Sequence, residues 1–156
     1  MRIALIILLL TAAAPLAAET LGPAPDFDVT TLEGKSLSLS ELRGQTVVLN
    51  FWFAGCPPCI TEMPALNRLV KRFANDPVVF VAFSKDKSEI LRKFRYADEF
   101  HYQLVGDDRE VHHRYGVSGY PTHVLIDRDG EVREVVRGGA KNIDRALARM
   151  IEQLLD

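Results

Sequence analysis

Cysteine is scarce in this chain: the 156 residues include two, and both lie in one C-x-x-C segment, Cys56-Pro57-Pro58-Cys59. A small exported scaffold held together by disulfides would need several pairs, so the chain is not of that class. A zinc site would need two further ligands, and no second C-x-x-C or H-x-x-x-H supplies them. A structural staple would close a very short loop and remove little unfolded-chain entropy. The sequence therefore favours thiol–disulfide exchange, with metal binding and a staple as the weaker alternatives.

An excess of charge of either sign is also missing. The chain has 19 basic and 21 acidic side chains, which gives a formal net charge of −2. Such a balance offers no basic surface for a nucleic acid. No internal repeat and no low-complexity segment is present either. We therefore expect a single domain that acts as a monomer and does not bind nucleic acid.

The N-terminal segment has the layout of a secretory signal. Arg2 precedes an apolar run from Ile3 to Leu10, and small residues follow up to Ala18. This order predicts a signal peptide over residues 1–18, with an uncleaved membrane anchor as the alternative. Residues 19–156 then form the domain. We expect a periplasmic protein that touches the membrane only if the segment is not cleaved.

Strand-like and helix-like patterns alternate along the rest of the chain. A small hairpin is expected around Gly34, and the apolar run Thr46 to Phe53 predicts a strand buried on both faces. The remaining patterns predict strands over 78–83, 103–105, 122–126 and 131–136, and helices over 57–73, 88–96, 108–115 and after Asn142. Pro64 should kink the first of these helices. Together the elements predict an α/β three-layer sandwich.

Several motifs occur in an order that resembles a known family. They are Ala24-Pro25-Asp26-Phe27, Leu49-Asn50-Phe51-Trp52 before the cysteines, Glu62-Met63-Pro64 after them, Tyr115 to Thr122, and Leu125 to Gly130. Together they resemble the thioredoxin superfamily, and within it the exported TlpA-like branch that includes the cytochrome c biogenesis reductases. The resemblance implies a thioredoxin-like three-layer sandwich with an N-terminal hairpin and a central insert over about 86–108. It also implies a thiol–disulfide oxidoreductase.

The two cysteines are expected to differ in reactivity. Cys56 should be exposed at a helix N-terminus, where the helix dipole favours a thiolate, and should act as the nucleophile. Pro57 and Pro58 have no N–H, so the N–H of Cys59 is the expected donor to that sulfur. Cys59, more buried, should resolve the mixed disulfide.

The resemblance assigns further roles. Pro121 would be a cis-proline beside the cysteines, and the backbone of Tyr120 would pair with the substrate chain. Glu62 would handle the proton of the buried thiol, although a surface carboxylate is the alternative interpretation. Trp52 would be either an active-site wall or part of the core.

The groove for the partner should be bordered by Gly55 and Pro57 in addition to Tyr120. Gly55 stands where the family often has a bulky or polar residue, which leaves the shape of the groove open. His112 and His113 are interpreted as surface or packing residues. His123 either approaches the site or lies on a strand surface.

We expect no cofactor and no metal, only the redox-active disulfide of Cys56 and Cys59. The expected partners are exported thiol or disulfide proteins, such as apocytochrome c or copper-site proteins, and an upstream membrane reductant. A disulfide reductase is the favoured function. A thioredoxin-fold copper metallochaperone is the first alternative, because thiolates bind Cu(I). A peroxiredoxin-like peroxidase is the second.

Overall fold

The computed structural model of the chain describes residues 20–94, 96, 97, 99–140 and 142–156. The signal peptide predicted for residues 1–18 lies outside the described residues. Within them the strands are β1 (Asp28–Thr30), β2 (Ser36–Ser38), β3 (Thr46–Trp52), β4 (Val78–Ser84), β5 (Gln103–Val105), β6 (Thr122–Ile126) and β7 (Val132–Arg137). The helices are α1 (Pro57–Arg72), α2 (Ser88–Arg92), α3 (Arg109–Arg114) and α4 (Ile143–Leu155), and a 3₁₀ turn spans Ser40–Leu42.

A central sheet of five strands has the order β5-β4-β3-β6-β7. Strand β3 pairs in parallel with β4, and β4 in parallel with β5. Strand β6 runs antiparallel to both β3 and β7. Strands β1 and β2 form the separate antiparallel hairpin that was predicted around Gly34. Parallel strands are joined by crossover connections that contain helices, and these helices pack on the faces of the sheet.

Helices cover both faces of the sheet, so the predicted three layers are present. Leu66 of α1 and Leu147 of α4 pack with Val48 of β3 in the core on one face. Val111 of α3 and Phe27 next to the hairpin belong to the core on the other face. Side chains along β3 therefore alternate between the two cores, because successive residues of a strand point to opposite faces.

Most predicted elements agree with the structure, and one helix differs. Helix α1 spans Pro57–Arg72 with Pro64 inside it, close to the predicted 57–73. Helix α2 ends at Arg92 and not at Tyr96, because the chain there turns to pack the Phe94 ring 5.4 Å from that of Trp52. Among the described residues, no helix combines the length and the apolar character needed to cross a membrane.

Candidate active site

The two cysteines form a disulfide at the first turn of α1. Cys56 is the N-cap residue, with extended backbone angles (φ −103°, ψ 96°), and Pro57 and Pro58 follow it. The residue before a proline is disfavoured in the helical region, so this sequence begins the helix after Cys56. The N–H of Cys59 donates to Cys56 Sγ at 3.4 Å, as predicted. The two sulfurs of the disulfide therefore lie at the N-terminus of α1, where the helix dipole favours a negative charge.

The expected difference in exposure between the cysteines is not found in this oxidised form. Cys56 and Cys59 are equally buried, each 2% exposed. Both belong to the same core cluster as Trp52 and Met63, because the bonded sulfurs lie against that core. The prediction that Cys56 is exposed was wrong for the disulfide state.

The loop before β6 lies beside the start of α1. The Tyr120–Pro121 peptide bond is cis, as expected, and Pro121 is buried. A Cβ built on Gly139 would lie 3.4 Å from Pro58 Cβ and 3.5 Å from Pro121 Cγ. Pro121 and the helix turn that contains the disulfide therefore both lie against Gly139.

A cation and two aromatic rings flank the C-x-x-C segment. Lys85 Nζ lies 4.1 Å from the ring centroid of Phe53 and 4.9 Å from that of Tyr120. The two rings meet edge to face with centroids 5.2 Å apart. Phe53 and Tyr120 are half-buried, so the surface next to the disulfide is aromatic and carries a positive charge.

Hydrogen bonds fix this surface to the end of β4. Asp86 Oδ2 accepts the N–H of Ala54 at 2.6 Å and the Ser84 hydroxyl at 3.2 Å. The Tyr120 hydroxyl and His112 Nδ1 are 2.9 Å apart, and His112 Nε2 lies 3.2 Å from the carbonyl oxygen of Phe83. The predicted packing role of His112 is confirmed, and burial lowers its pKa to about 4.

Glu62 is buried, so the surface alternative considered for it was wrong. It is 3% exposed and lies on α1, one turn beyond Cys59. Its Oε1 accepts a hydrogen bond from Asn50 Nδ2 at 3.4 Å. Its Oε2 has no hydrogen-bond partner within the described part of the chain. Glu62 and Cys59 are therefore two buried residues three positions apart on the same helix.

His123 is fully buried, so its interpretation as a strand surface residue was also wrong. It lies opposite Asn50 in the pairing of β6 with β3. Its Nδ1 is 3.3 Å from Asn50 Nδ2, and its Nε2 is 3.2 Å from Glu62 Oε1. The sequence held a signal for this contact, since Asn50 and His123 each interrupt an apolar strand.

The three other predicted site residues are Trp52, which is buried, and Gly55 and Pro57, which are exposed. Trp52 is 1% exposed and packs against Phe94 and Phe100, so its position supports a core role over an active-site wall. Gly55 and Pro57 are exposed next to the disulfide, where a partner can reach them. Lys85 and Asp86 were missed, because only the end of β4 brings them to the site.

No group of three or more His, Cys, Asp or Glu side chains able to hold a metal occurs among residues 20–94, 96, 97, 99–140 and 142–156.

Comparison with protein families and curated proteins agrees with this geometry. The chain matches the model of the AhpC/TSA family over residues 21–135. It is 36% identical over 118 residues to the thiol-disulfide oxidoreductase ResA of Bacillus anthracis, covering 74% of this chain and 68% of that protein. It is 35% identical over 136 residues to the thioredoxin-like protein YneN of Bacillus subtilis, covering 85% of this chain and 76% of that protein.

Solved structures are similar over most of the chain. A thiol:disulfide interchange protein of the thioredoxin family from Chlorobium tepidum superposes with a TM-score of 0.76 and 25% identity, covering 89% of this chain and 99% of the other. The thioredoxin domain of a thiol-disulfide oxidoreductase from Bacteroides vulgatus gives 0.73 and 26% identity, covering 85% and 98%. The predicted thioredoxin-like fold is confirmed.

We expect Cys56 of the reduced protein to be alkylated before Cys59. Cys56 caps α1 and receives the Cys59 N–H, and both features stabilise its thiolate. Limiting iodoacetamide at neutral pH, followed by peptide mapping, measures the order. Cys59→Ser should retain fast labelling and Cys56→Ser should lose it. Preferential labelling of Cys59 would contradict the assignment.

We also expect the protein to lose stability as the pH falls from about 6.5 to about 4. The pKa of His112 is lowered by burial from 6.5 to about 4, so between these values the unfolded chain binds a proton that the folded chain does not. The loss of unfolding free energy should be roughly 2–4 kcal/mol, and it should be absent above the unfolded pKa.

Urea unfolding at several pH values tests this, with His112→Gln as the variant and His101→Gln, at an exposed position, as the control. The His112 variant should show a flatter profile than the His101 variant. Parallel profiles in the two variants would count against the assignment to His112.

Proposed function

We propose a function from the premise that the chain belongs to the AhpC/TSA family and is a thiol-disulfide oxidoreductase with a thioredoxin-like fold. Within that activity, the chain is an exported disulfide reductase. It acts through the Cys56–Cys59 dithiol on disulfides of other exported proteins.

The observation that carries the proposal is the disulfide at the first turn of α1, bordered by the Tyr120–Pro121 loop. In the reduced protein, the Cys56 thiolate attacks a partner disulfide, forms a mixed disulfide and releases one partner thiolate. Cys59 then attacks Cys56 Sγ, and the bond between Cys56 and the partner breaks. The partner gains two electrons, the chain returns to the disulfide form, and a reductant must restore the dithiol.

The direction of the reaction is inferred from how few groups stabilise the Cys56 thiolate. Strong oxidants of this fold depress the cysteine pKa far below that of thioredoxin, which stabilises their reduced form. Here Pro57 and Pro58 offer no N–H, and the donor present is the N–H of Cys59, at 3.4 Å. A moderate stabilisation of the thiolate favours a reductant.

Glu62 accepts the proton of Cys59 when the mixed disulfide is resolved. The carboxylate is buried one turn from Cys59, and its Oε2 has no hydrogen-bond partner within the described part of the chain. Deprotonation by a neighbouring base makes the attacking thiol a nucleophile.

The site of action is the periplasm. The sequence of residues 1–18 supports export, either with cleavage or as a membrane anchor. Partners are thiol or disulfide proteins of that compartment, such as apocytochrome c or copper-site proteins, and a membrane reductant supplies the electrons. The chain works as a monomer, without nucleic acid, metal or cofactor.

Trapping in cells tests the substrate class. We expect Cys59→Ser to accumulate mixed disulfides through Cys56, because the resolving thiol is gone. Adducts released by dithiothreitol are identified by mass spectrometry, and the Cys56→Ser/Cys59→Ser variant is the control. Exported proteins with paired cysteines should be recovered. Recovery of cytoplasmic proteins alone would overturn the proposal.

The reduction potential tests the direction. We expect a value nearer to about −270 mV, as in thioredoxin, than to about −120 mV, as in the strong oxidant DsbA. Equilibration with glutathione redox buffers and quantification of the dithiol gives the potential. A value above about −150 mV would make the protein an oxidant.

A further inference from the structure

A buried polar triad, formed by Asn50, Glu62 and His123, lies inside the core next to the disulfide. The residues are 1%, 3% and 0% exposed. They come from β3, α1 and β6, and the same core contains Cys56 and Cys59. Buried polar groups without good partners cost free energy, so a triad of this kind calls for a functional explanation.

The donor pattern of the triad defines the tautomer of His123. Asn50 Nδ2 carries two hydrogens and faces both Glu62 Oε1, at 3.4 Å, and His123 Nδ1, at 3.3 Å. The reversed amide would place Asn50 Oδ1 against a carboxylate oxygen, which is repulsive. His123 Nδ1 is therefore an acceptor, and a neutral ring carries its hydrogen on Nε2.

His123 Nε2 also lies near the Glu62 oxygen that accepts from Asn50. His123 Nε2 lies 3.2 Å from Glu62 Oε1, although outside good hydrogen-bond geometry. Asn50 thus donates to this oxygen, and His123 packs against it without a hydrogen bond. Oε2 is left without a hydrogen-bond partner among the described residues.

The unpartnered oxygen lies close to Gly139. A Cβ built on Gly139 would lie 3.6 Å from Glu62 Oε2, close to Pro58 and Pro121. Tyr102 is a titratable side chain that this carboxylate affects: burial raises its pKa, and the negative charge of Glu62 raises it further. Its hydroxyl has no hydrogen-bond partner in the described part of the chain.

We propose that His123 is a positioning residue, which together with Asn50 holds Glu62 Oε1 so that Oε2 stays free to receive the Cys59 proton. This rests on the proposed role of Glu62 as proton acceptor. In the step, the S–H proton of Cys59 moves to Oε2, the Cys59 sulfur bonds to Cys56 Sγ, and the Cys56–partner bond breaks. The partner sulfur leaves with the electron pair.

A single-turnover experiment with glutathione disulfide tests the proposal. Reduced protein is mixed with the disulfide and quenched with acid at short times, and mass spectrometry quantifies the Cys56–glutathione adduct. The growth of the adduct reports attack by Cys56, and its decay reports resolution by Cys59. We expect Glu62→Gln to slow resolution about a hundredfold, the lower range of a general-base contribution, and to leave attack unchanged.

Two substitutions of His123 separate positioning from packing. His123→Leu removes both nitrogens and should slow resolution about tenfold, because the carboxylate loses its fixed position. His123→Gln can accept from Asn50 and donate to Glu62, so it should resolve within about threefold of the wild-type rate. Val124→Ala, a buried substitution on the other face of β6, is the packing control and should resolve normally.

The double variant His123→Leu/Glu62→Gln links the two residues. It should resolve no more slowly than Glu62→Gln, since His123 acts through Glu62. Additive slowing would overturn the proposal. Normal resolution in His123→Leu with slow resolution in Glu62→Gln would overturn the role of His123 and leave that of Glu62. Normal resolution in Glu62→Gln would remove the proton acceptor itself, although adducts of Cys59→Ser would still support the oxidoreductase function.

Nitrogen NMR of the oxidised wild-type protein is an independent test that needs no variant, because it shows which ring nitrogen of His123 carries a hydrogen. The ring of His123 should show a protonated Nε2 and an unprotonated Nδ1. A hydrogen on Nδ1, alone or in a doubly protonated ring, would exclude donation from Asn50 and overturn the proposal.

Discussion

The antiparallel pairing of β3 with β6 is the constraint on which the active site depends. Strand β3 ends at Trp52, shortly before Cys56, and β6 begins at Thr122, directly after Pro121. Because Phe51 pairs with Thr122, the end of one strand lies beside the start of the other. This places the cis-proline loop next to the first turn of α1. The same pairing sets Asn50 opposite His123, two buried polar residues of the triad.

Two different environments meet at the disulfide. On the surface side are Phe53, Tyr120 and the ammonium group of Lys85, an aromatic and cationic area that a partner chain can contact. On the inner side are Glu62 and His123, which are shielded from water. The proposed reaction would divide in the same way, because recognition and first attack need access, whereas proton transfer from Cys59 would benefit from a dry site.

Burying the three polar residues of the triad costs free energy, which explains why so few polar residues lie in this core. A carboxylate and an imidazole taken from water lose hydration, and their neighbours replace it only in part. The amide nitrogen of Asn50 contacts both neighbours, at 3.4 Å from Glu62 Oε1 and 3.3 Å from His123 Nδ1. The rest of this core is almost entirely apolar, including Leu66 and Leu147. In the proposed role of Glu62, this loss of free energy is offset by a carboxylate held in a fixed position on the helix of Cys59.

Local sequence patterns were sufficient for the elements of the fold and for the position of the disulfide. Short apolar runs predicted the strands, and the prolines after Cys56 predicted where α1 begins. Both effects act over a few residues, so they can be identified from local sequence. The exposure of Cys56, the burial of Glu62 and the contacts of His123 and Lys85 were not accessible in this way. They depend on which strands become neighbours and on which face of each strand a side chain lies. Those facts arise from pairing between residues far apart in the chain, and only the tertiary structure decides them.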